Sequence, residues 1–266
     1  MDEKVSVSII IPTYNSGESI ERCLKSIKNQ SIPGLESIIV DNHSTDQTRE
    51  ISERYGVTFL LFRGNRSRAR NAGIKQSSGR YTLFLDSDQE LEKGLLEECI
   101  GLCEESGFDS LIIRELTVGE NYWAQCLNFE RKLASDSFGK EIPRFHKAEF
   151  LRNVGGFDET LEFGEDWDLY LKLKDEGSKV GRATAYIRHH ENSDFGSLIR
   201  KYRQYGEYIP QLASRYSVTS IISQYKPLLS DPRTFLVHFV KDPLHGSGFL
   251  FLRMIRGFIM LFGAKF

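Results

Sequence analysis

Between Asn71 and Glu92 the chain reads NAGIKQSSGRYTLFLDSDQELE, and the middle of this stretch decides the fold. Tyr81 to Leu85 suit a buried strand, and Asp86 and Asp88 follow at once. A strand interior rejects ionised carboxylates, so a pair of them where a core strand surfaces calls for a partner. Two acids two residues apart can serve one ligand zone if the chain turns there. Together they offer hard oxygens to Mg2+ or Mn2+, and the metal would neutralise a diphosphate. Asp-Ser-Asp is equally good turn chemistry, so the placement after a core strand is what favours a functional reading.

Outward from this strand the pattern repeats. Val5 to Ile11 is β-branched and strand-like; after Pro12 and the turn residues Asn15 to Gly17, Ile20, Leu24 and Ile27 recur at helical spacing. Ser37 to Val40 with a helix near Asp46 to Tyr55 makes a second βα unit, Val57 to Phe62 with Ser67 to Gln76 a third, and Tyr81 to Leu85 with Leu91 to Ser106 a fourth. This alternation predicts an α/β fold with a mostly parallel central sheet and helices on both faces. Ligands of such sheets gather beyond the carboxyl ends of the strands. Three of those ends carry polar residues: Thr13-Tyr14-Asn15, Asp41, and Asp86-Ser87-Asp88.

At 266 residues, with 40% hydrophobic and 27% charged residues, the chain can bury one large core or a core with an appendage, which excludes a disordered or fibrous protein. The net charge of -2 hides an asymmetry: from Gly196 onward ten basic residues face three acidic ones, and the preceding 195 residues are acidic in balance. Cys23, Cys99, Cys103 and Cys126 form no CxxC pair and no zinc spacing, as expected of reduced thiols in a cytosolic protein. The start, MDEKVSVSIII, lacks a basic n-region and a small-residue cleavage site and reads as a strand rather than a signal peptide. No nucleic-acid partner is expected.

Four motifs carry a resemblance. VSIIIPTYNSGESIERCLKSIKNQ, then IIVDNHSTDQT, then RARNAGIKQSSGRYTLFLDSD, in this order and spacing, resemble the nucleotide-sugar-binding half of family 2 glycosyltransferases of the GT-A fold, a Rossmann-like architecture. VGGFDETLEFGEDWDLYLKLKDEG resembles the acceptor-side segment of that family, and the likeness runs over about residues 5 to 190. It implies 1–115 as the nucleotide-sugar-binding half and 116–195 as the acceptor-binding half; charge and apolar pattern mark 196–266 as a third segment, a basic, apolar helical extension suited to associate with a membrane.

The resemblance also implies roles. Pro12, Thr13, Tyr14 and Asn15, after the first strand, and Asp41, ending the second, match positions that hold base and ribose; a carboxylate there can accept from a base N–H. The other reading of Asp41 is an Asx turn with Asn42. Arg70 and Asn71 match an element beneath the nucleotide, although Arg70 also suits a surface salt bridge. Asp86 and Ser87 match the ribose side and Asp88 the metal, with His189, or else His190, as a further ligand to Mn2+ or Mg2+. Asp166 in GEDWDL matches the catalytic base that takes the acceptor proton while the anomeric centre inverts. Glu165 and Asp168 suit helix capping at the same place.

Acceptor contacts are expected from Trp123, Arg144, Glu165, Trp167, Lys201 and Tyr205, with Leu116 to Lys140 forming a helix and a mobile loop over the acceptor. Trp123, Phe129 and Phe138 belong to that segment, and core roles suit two of the three. SLIRKYRQYGEYIPQL reads as a helix with a basic, tyrosine-rich face and resembles an element of members acting on polyprenyl-phosphate-linked acceptors. GSGFLFLRMIRGFIMLFGAKF is apolar but interrupted by Arg253 and Arg256, so it is a poor membrane span. As a helix, with the arginines on one side and apolar residues around the rest, it suits an anionic membrane interface, or else a packed helix or a homodimer surface.

The expectation is a metal-dependent inverting glycosyltransferase that moves a sugar from a UDP or GDP donor to a glycan or polyprenyl-phosphate-linked acceptor, peripheral at the cytoplasmic face. Two rivals are a nucleotide-sugar- or glycan-binding protein without catalysis and a phosphatase with a strand-end aspartate nucleophile. Against them stand the presence of Asp86, Asp88 and Asp166 together, and Glu90 where the phosphatase chemistry wants Thr or Val. A sugar nucleotidyltransferase is weaker still, because no Gly-rich triphosphate loop follows the first strand.

Overall fold

The structure is a computed structural model that describes residues 6–136, 141–191, 193–216 and 231–262. Strand β1 (Val7–Thr13) lies between β2 (Leu35–Asp41) and β4 (Tyr81–Phe84), parallel to both, and β3 (Thr58–Leu61) extends the parallel set beyond β2. The side chains of these strands alternate between two cores. Val7, Ile9, Ile11, Ile39, Tyr81, Leu83 and Leu85 pack on one side, Ile10, Ile38, Val40 and Phe84 on the other. A strand buried on both faces has to read as a continuous apolar run, which is why these segments were legible.

Helix α1 (Ile20–Lys28) and α4 (Leu95–Glu105) cover the first face, and α3 (Arg66–Gln76) and α7 (Glu165–Asp175) the second, with α2 (Thr48–Arg54) beside α1. On α3, a Cβ at Gly73 would collide with Ile10 of β1, so only glycine lets the helix approach this closely. Asn65 caps α3 by accepting from Arg68 N–H at 2.9 Å.

The whole sheet runs β3-β2-β1-β4-β7-β6-β8-β5 and is mixed rather than mostly parallel. β7 (Phe145–Lys147) is antiparallel to both β4 and β6 (Ser110–Val118). β8 (Val180–His190) is longer than the expected Tyr186 to Arg188. The fourth helix begins at Leu95, not Leu91: Gln89–Leu91 is β5, and Gly94, at φ +83°, turns the chain before α4 starts. α6 (Ala148–Asn153) follows β7.

The chain divides into two compact units, each drawn from two stretches of chain. The first combines Met1–Arg114 with Ile142–Arg188, the second Glu115–Glu141 with His189–Phe266. In the second, α5 (Tyr122–Asp136), α8 (Phe195–Arg215), α9 (Pro232–Lys241) and α10 (Pro243–Phe262) pack around Cys126, Leu198, Tyr202 and Leu252, and around Phe129, Leu133 and Phe249. Ser135 and Asp136, expected in a turn around Ser135 to Gly139, still belong to α5; Phe138 and the rest of that loop lie outside the described residues.

Candidate active site

Strand order reverses between β1 and β4, and a parallel sheet opens a crevice at the carboxyl end of such a point. Thr13 ends β1 directly opposite Asp41 at the end of β2. Asp41 is buried, and its Oδ1 accepts from the Thr13 hydroxyl at 2.8 Å and the Ser44 hydroxyl at 2.6 Å; Oδ2 accepts from the Ser44 N–H at 2.8 Å. The Asx-type turn therefore closes on Ser44 and not on Asn42. Asn15, at φ +47°, continues the weave, its Oδ1 accepting from Thr45 N–H and its own N–H donating to Ser44 Oγ. Pro12 is half-buried, while Tyr14 is 64% exposed beyond the strand end, open to stack on a ligand.

The opening aspartates sit on a braced turn. Gln89 N–H donates to Asp86 O, and the Gln89 side chain accepts from Asp86 N–H at 2.9 Å. The Ser87 hydroxyl donates to Ser16 Oγ at 2.9 Å, joining this turn to the β1 end. Cys23 Sγ lies 3.8 Å from the Asp86 carbonyl oxygen under this turn, and burial, followed by the charges of Asp88 and Asp86, pushes its thiol up.

Arg70 is the centre of the site. It is 1% exposed, packed against the rings of Phe84 and Phe157 with its charge centre 5.9 and 5.2 Å from their centroids. Nη1 donates to Asp166 Oδ1 at 2.5 Å and Glu165 Oε1 at 3.3 Å, and Nη2 to Asp86 Oδ1 at 3.4 Å. This corrects the surface-salt-bridge reading: the guanidinium is buried and ties the turn after β4 to the start of α7. Arg144, which suits either an acceptor phosphate or a salt bridge, pairs with Asp86, its Nη1 3.5 Å from Oδ2.

Asn71 also departs from expectation. Its Oδ1 accepts from Phe157 N–H at 2.8 Å, and its Nδ2 donates to Phe157 O at 2.9 Å and Glu159 Oε1 at 3.1 Å. The amide holds the loop before α7 rather than a nucleotide. α7 itself starts after Gly164, at φ +78°, with no side-chain cap, so Glu165, Asp166 and Asp168 are first-turn acids and not caps. Burial and Asp166 raise the Glu165 carboxyl above the ordinary range, with Arg70 and Arg66 opposing. Asp166 keeps a 36% exposed side chain, Asp168 is paired with Lys172, and Trp167 is buried instead of offering a face to an acceptor.

The second unit holds the remaining expected residues. Arg131 Nη2 lies 2.8 Å from His189 Nδ1, and Glu115 Oε2 lies 3.2 Å from the same nitrogen. Arginine can only donate and a carboxylate can only accept, so Nδ1 serves one or the other according to its tautomer, and either pairing orients the ring. Among the described residues no three His, Cys, Asp or Glu side chains form a metal-holding group. Trp123 packs in an aromatic cluster, 4.9 Å from the Phe195 ring and 6.3 Å from Phe251, so a free stacking face for a sugar is not what it offers. Lys201 pairs with Glu191 at 3.3 Å and, with Tyr205, Arg131, Glu130 and Arg256, lines a cavity of about 250 Å3.

Arg70 as a hub was not legible, because the three acids it gathers are scattered over 80 residues of sequence. The one available signal was an arginine on a helix of otherwise buried small residues, Ser67, Ala69 and Gly73.

Comparison with known proteins agrees with this architecture. The chain is 28% identical over 219 residues to glycosyltransferase AglE of Haloferax volcanii, covering 76% of this chain and 72% of that one. It is 37% identical over 115 residues to poly(ribitol-phosphate) beta-N-acetylglucosaminyltransferase TarP of Staphylococcus aureus, covering 40% of this chain but 35% of TarP. Among solved structures, mannosyltransferase PcManGT from Pyrobaculum calidifontis, in complex with GDP-Man and Mn2+, superposes with a TM-score of 0.68 at 15% identity, covering 99% of this chain and 89% of that one. S. aureus TarS 1-349 in complex with UDP-GlcNAc gives 0.59 at 19%, covering 97% and 92%. These likenesses establish the GT-A fold. The model of glycosyl transferase family 2 matches residues 8–158, more than half of the sequence and the whole parallel half of the sheet, and the chain therefore belongs to that family.

Proposed function

We propose that the chain is an inverting glycosyltransferase that uses a UDP or GDP sugar, with Asp166 as the catalytic base. The observation that carries the reading is the pairing of Arg70 with both Asp86 and Asp166. One buried guanidinium sets the acid of the donor strand end and the part-exposed acid of α7 in fixed register, as a displacement across the anomeric carbon needs. With Arg70 holding Oδ1, the Asp166 carboxylate takes the proton from the acceptor hydroxyl. That oxygen bonds to the anomeric carbon as the carbon–oxygen bond to the β-phosphate breaks, and the nucleoside diphosphate leaves with the electron pair. Thr13, Tyr14, Asn15 and Asp41 hold the nucleotide, and Ser87 with Asp86 the ribose side.

The residues present fit a divalent metal. Asp86 and Asp88 supply hard oxygens from one turn, which the Asp86–Gln89 hydrogen bonds hold in place. Asp86 is already faced by Arg70 and Arg144, so Asp88 would be the main ligand. Mn2+ or Mg2+ bound there would neutralise the diphosphate. Two structural neighbours, one in complex with GDP-Man and Mn2+ and the other with UDP-GlcNAc, support this donor class. The acceptor is a glycan or a polyprenyl-phosphate-linked glycan at the cytoplasmic face, with the protein peripheral to the membrane. The basic C-terminal segment supports that part of the reading.

Calorimetric titration of UDP and GDP sugars, with and without Mn2+, tests the proposal. Metal-dependent binding of one nucleotide, lost in Asp88→Ala, is expected; folded protein that binds neither would overturn it.

A further inference from the structure

Helix α10 turns its charges inward. Arg253 and Arg256 donate to Glu130 Oε1 of α5 at 3.2 and 2.8 Å, and Phe249 and Leu252 are buried on the same side. The arginine side is thus engaged within the protein, as the packed-helix reading has it. The solvent stripe is Leu244, Ser247, Phe251, Met254 and Phe258, spaced by alternating steps of three and four residues. It contains one serine and no charge, and Leu244, Met254 and Phe258 are each more than 60% exposed. α9 adds Leu236, Val237 and Val240, the last 71% exposed, with exposed Arg233 and Lys241 beside them. A surface helix ordinarily shows water a polar stripe. Single exposed apolar residues need no explanation, but seven on two consecutive helices do.

We infer that this apolar face of α9 and α10 seats in the interface of an anionic lipid bilayer. The inference rests on the membrane reading above and names the surface that makes the contact. Charge complementarity favours lipid as the occupant. Arg233 and Lys241 edge the stripe, while the neighbouring acids are used as caps, Asp231 by Thr234 and Asp242 by His245. A two-fold contact between copies would set the stripe on itself, with no acid on it to meet those cations; lipid phosphate meets them directly. No helix among the described residues is long and apolar enough to cross a membrane, so α9 and α10 lie along its surface.

The test is co-sedimentation of the full chain with vesicles of phosphatidylcholine alone and of phosphatidylcholine mixed with phosphatidylglycerol. Two variants accompany it: Val240→Gln/Leu244→Gln/Met254→Gln, and Arg233→Gln/Lys241→Gln. Glutamine keeps helix propensity, and thermal unfolding followed by circular dichroism checks that each variant folds. Wild-type protein is expected on the anionic vesicles, with partitioning reduced about 30-fold or more in the apolar variant and about tenfold in the basic one. If the apolar variant binds as tightly as wild type, the assignment of this face falls and the membrane reading stands. Folded wild type that binds neither vesicle overturns both. If it also forms a dimer that the apolar variant dissolves, the face belongs to a second copy and the lipid proposal is refuted.

Discussion

Replacing Arg70 with glutamine removes the charge on which Asp86, Glu165 and Asp166 converge. Deleting one partner of a buried ion pair typically costs about 3–5 kcal/mol. Asp86 and Asp166 are 24% and 36% exposed, so water takes up part of the loss, and Arg144 remains beside Asp86. The expected cost is therefore at the lower end, about 3 kcal/mol. The two tryptophans fall in different units, so a Trp123→Phe background leaves Trp167 as the fluorescent reporter of the first unit in a urea titration. The sign with pH follows from Glu165. Its folded pKa is raised, so the stability linked to it is present below the unfolded value and lost as pH rises through the folded one. Without Arg70 opposing, that rise is larger, and protonation relieves the crowding of negative charge. The deficit of Arg70→Gln should be greatest near pH 8 and shrink towards about pH 5. A deficit below about 1 kcal/mol at pH 8, or one that does not change with pH, refutes the assignment of Arg70 as the common counter-charge.

Three further outcomes are expected. Asp166→Asn should lower kcat by about 10^2–10^4 while leaving the donor Kd within a factor of a few, read by initial rates beside calorimetry. Asn71→Ala strips partners from the backbone N–H and C=O of Phe157 and should cost about 2–4 kcal/mol in the same urea assay, since buried groups left unpaired cost about 1–3 kcal/mol each. His146 is buried and its pKa falls from 6.5 to about 3, chiefly through burial, so the unfolded chain takes up a proton that the folded chain refuses. Stability should decline as pH falls from about 6.5 towards 3, and a stability–pH curve for His146→Gln should be flatter over that window.

The parallel half of the sheet was legible because burial on both faces demands continuous apolar runs, and Val7 to Thr13 or Tyr81 to Phe84 admit no other use. The antiparallel half was not. β7 is three residues, Phe-His-Lys, whose place is set by its ladder to β4 through Tyr81 opposite Lys147 and Leu83 opposite Phe145, and no local pattern announces that. Strand ends marked the region of the candidate site, so Thr13, Asp41 and Asp86 were singled out. What each side chain does depended on partners remote in sequence: Asn71 belongs to Phe157, 86 residues on, and Arg144 to Asp86, 58 residues back. The family resemblance singled out Arg70 and Asn71, but only the packing shows that one gathers charge and the other holds a loop.

The same dependence on remote partners explains the orientation of α10. Turning the helix half-way about its axis would bury Leu244, Met254 and Phe258 but expose Phe249, Leu252 and part of Ile259, so the apolar terms nearly cancel. Glu130 does not cancel. Against the burial that would raise it, Arg256 and Arg253 hold its carboxyl below the ordinary range, and rotation would leave this buried charge unmatched at a cost of about 3 kcal/mol or more. One glutamate on α5 thus fixes which side of α10 faces inward. The periodicity of α10 alone placed its arginines together on one side without saying which side faces inward; Glu130, more than 120 residues earlier, decides that the apolar side is the one left exposed.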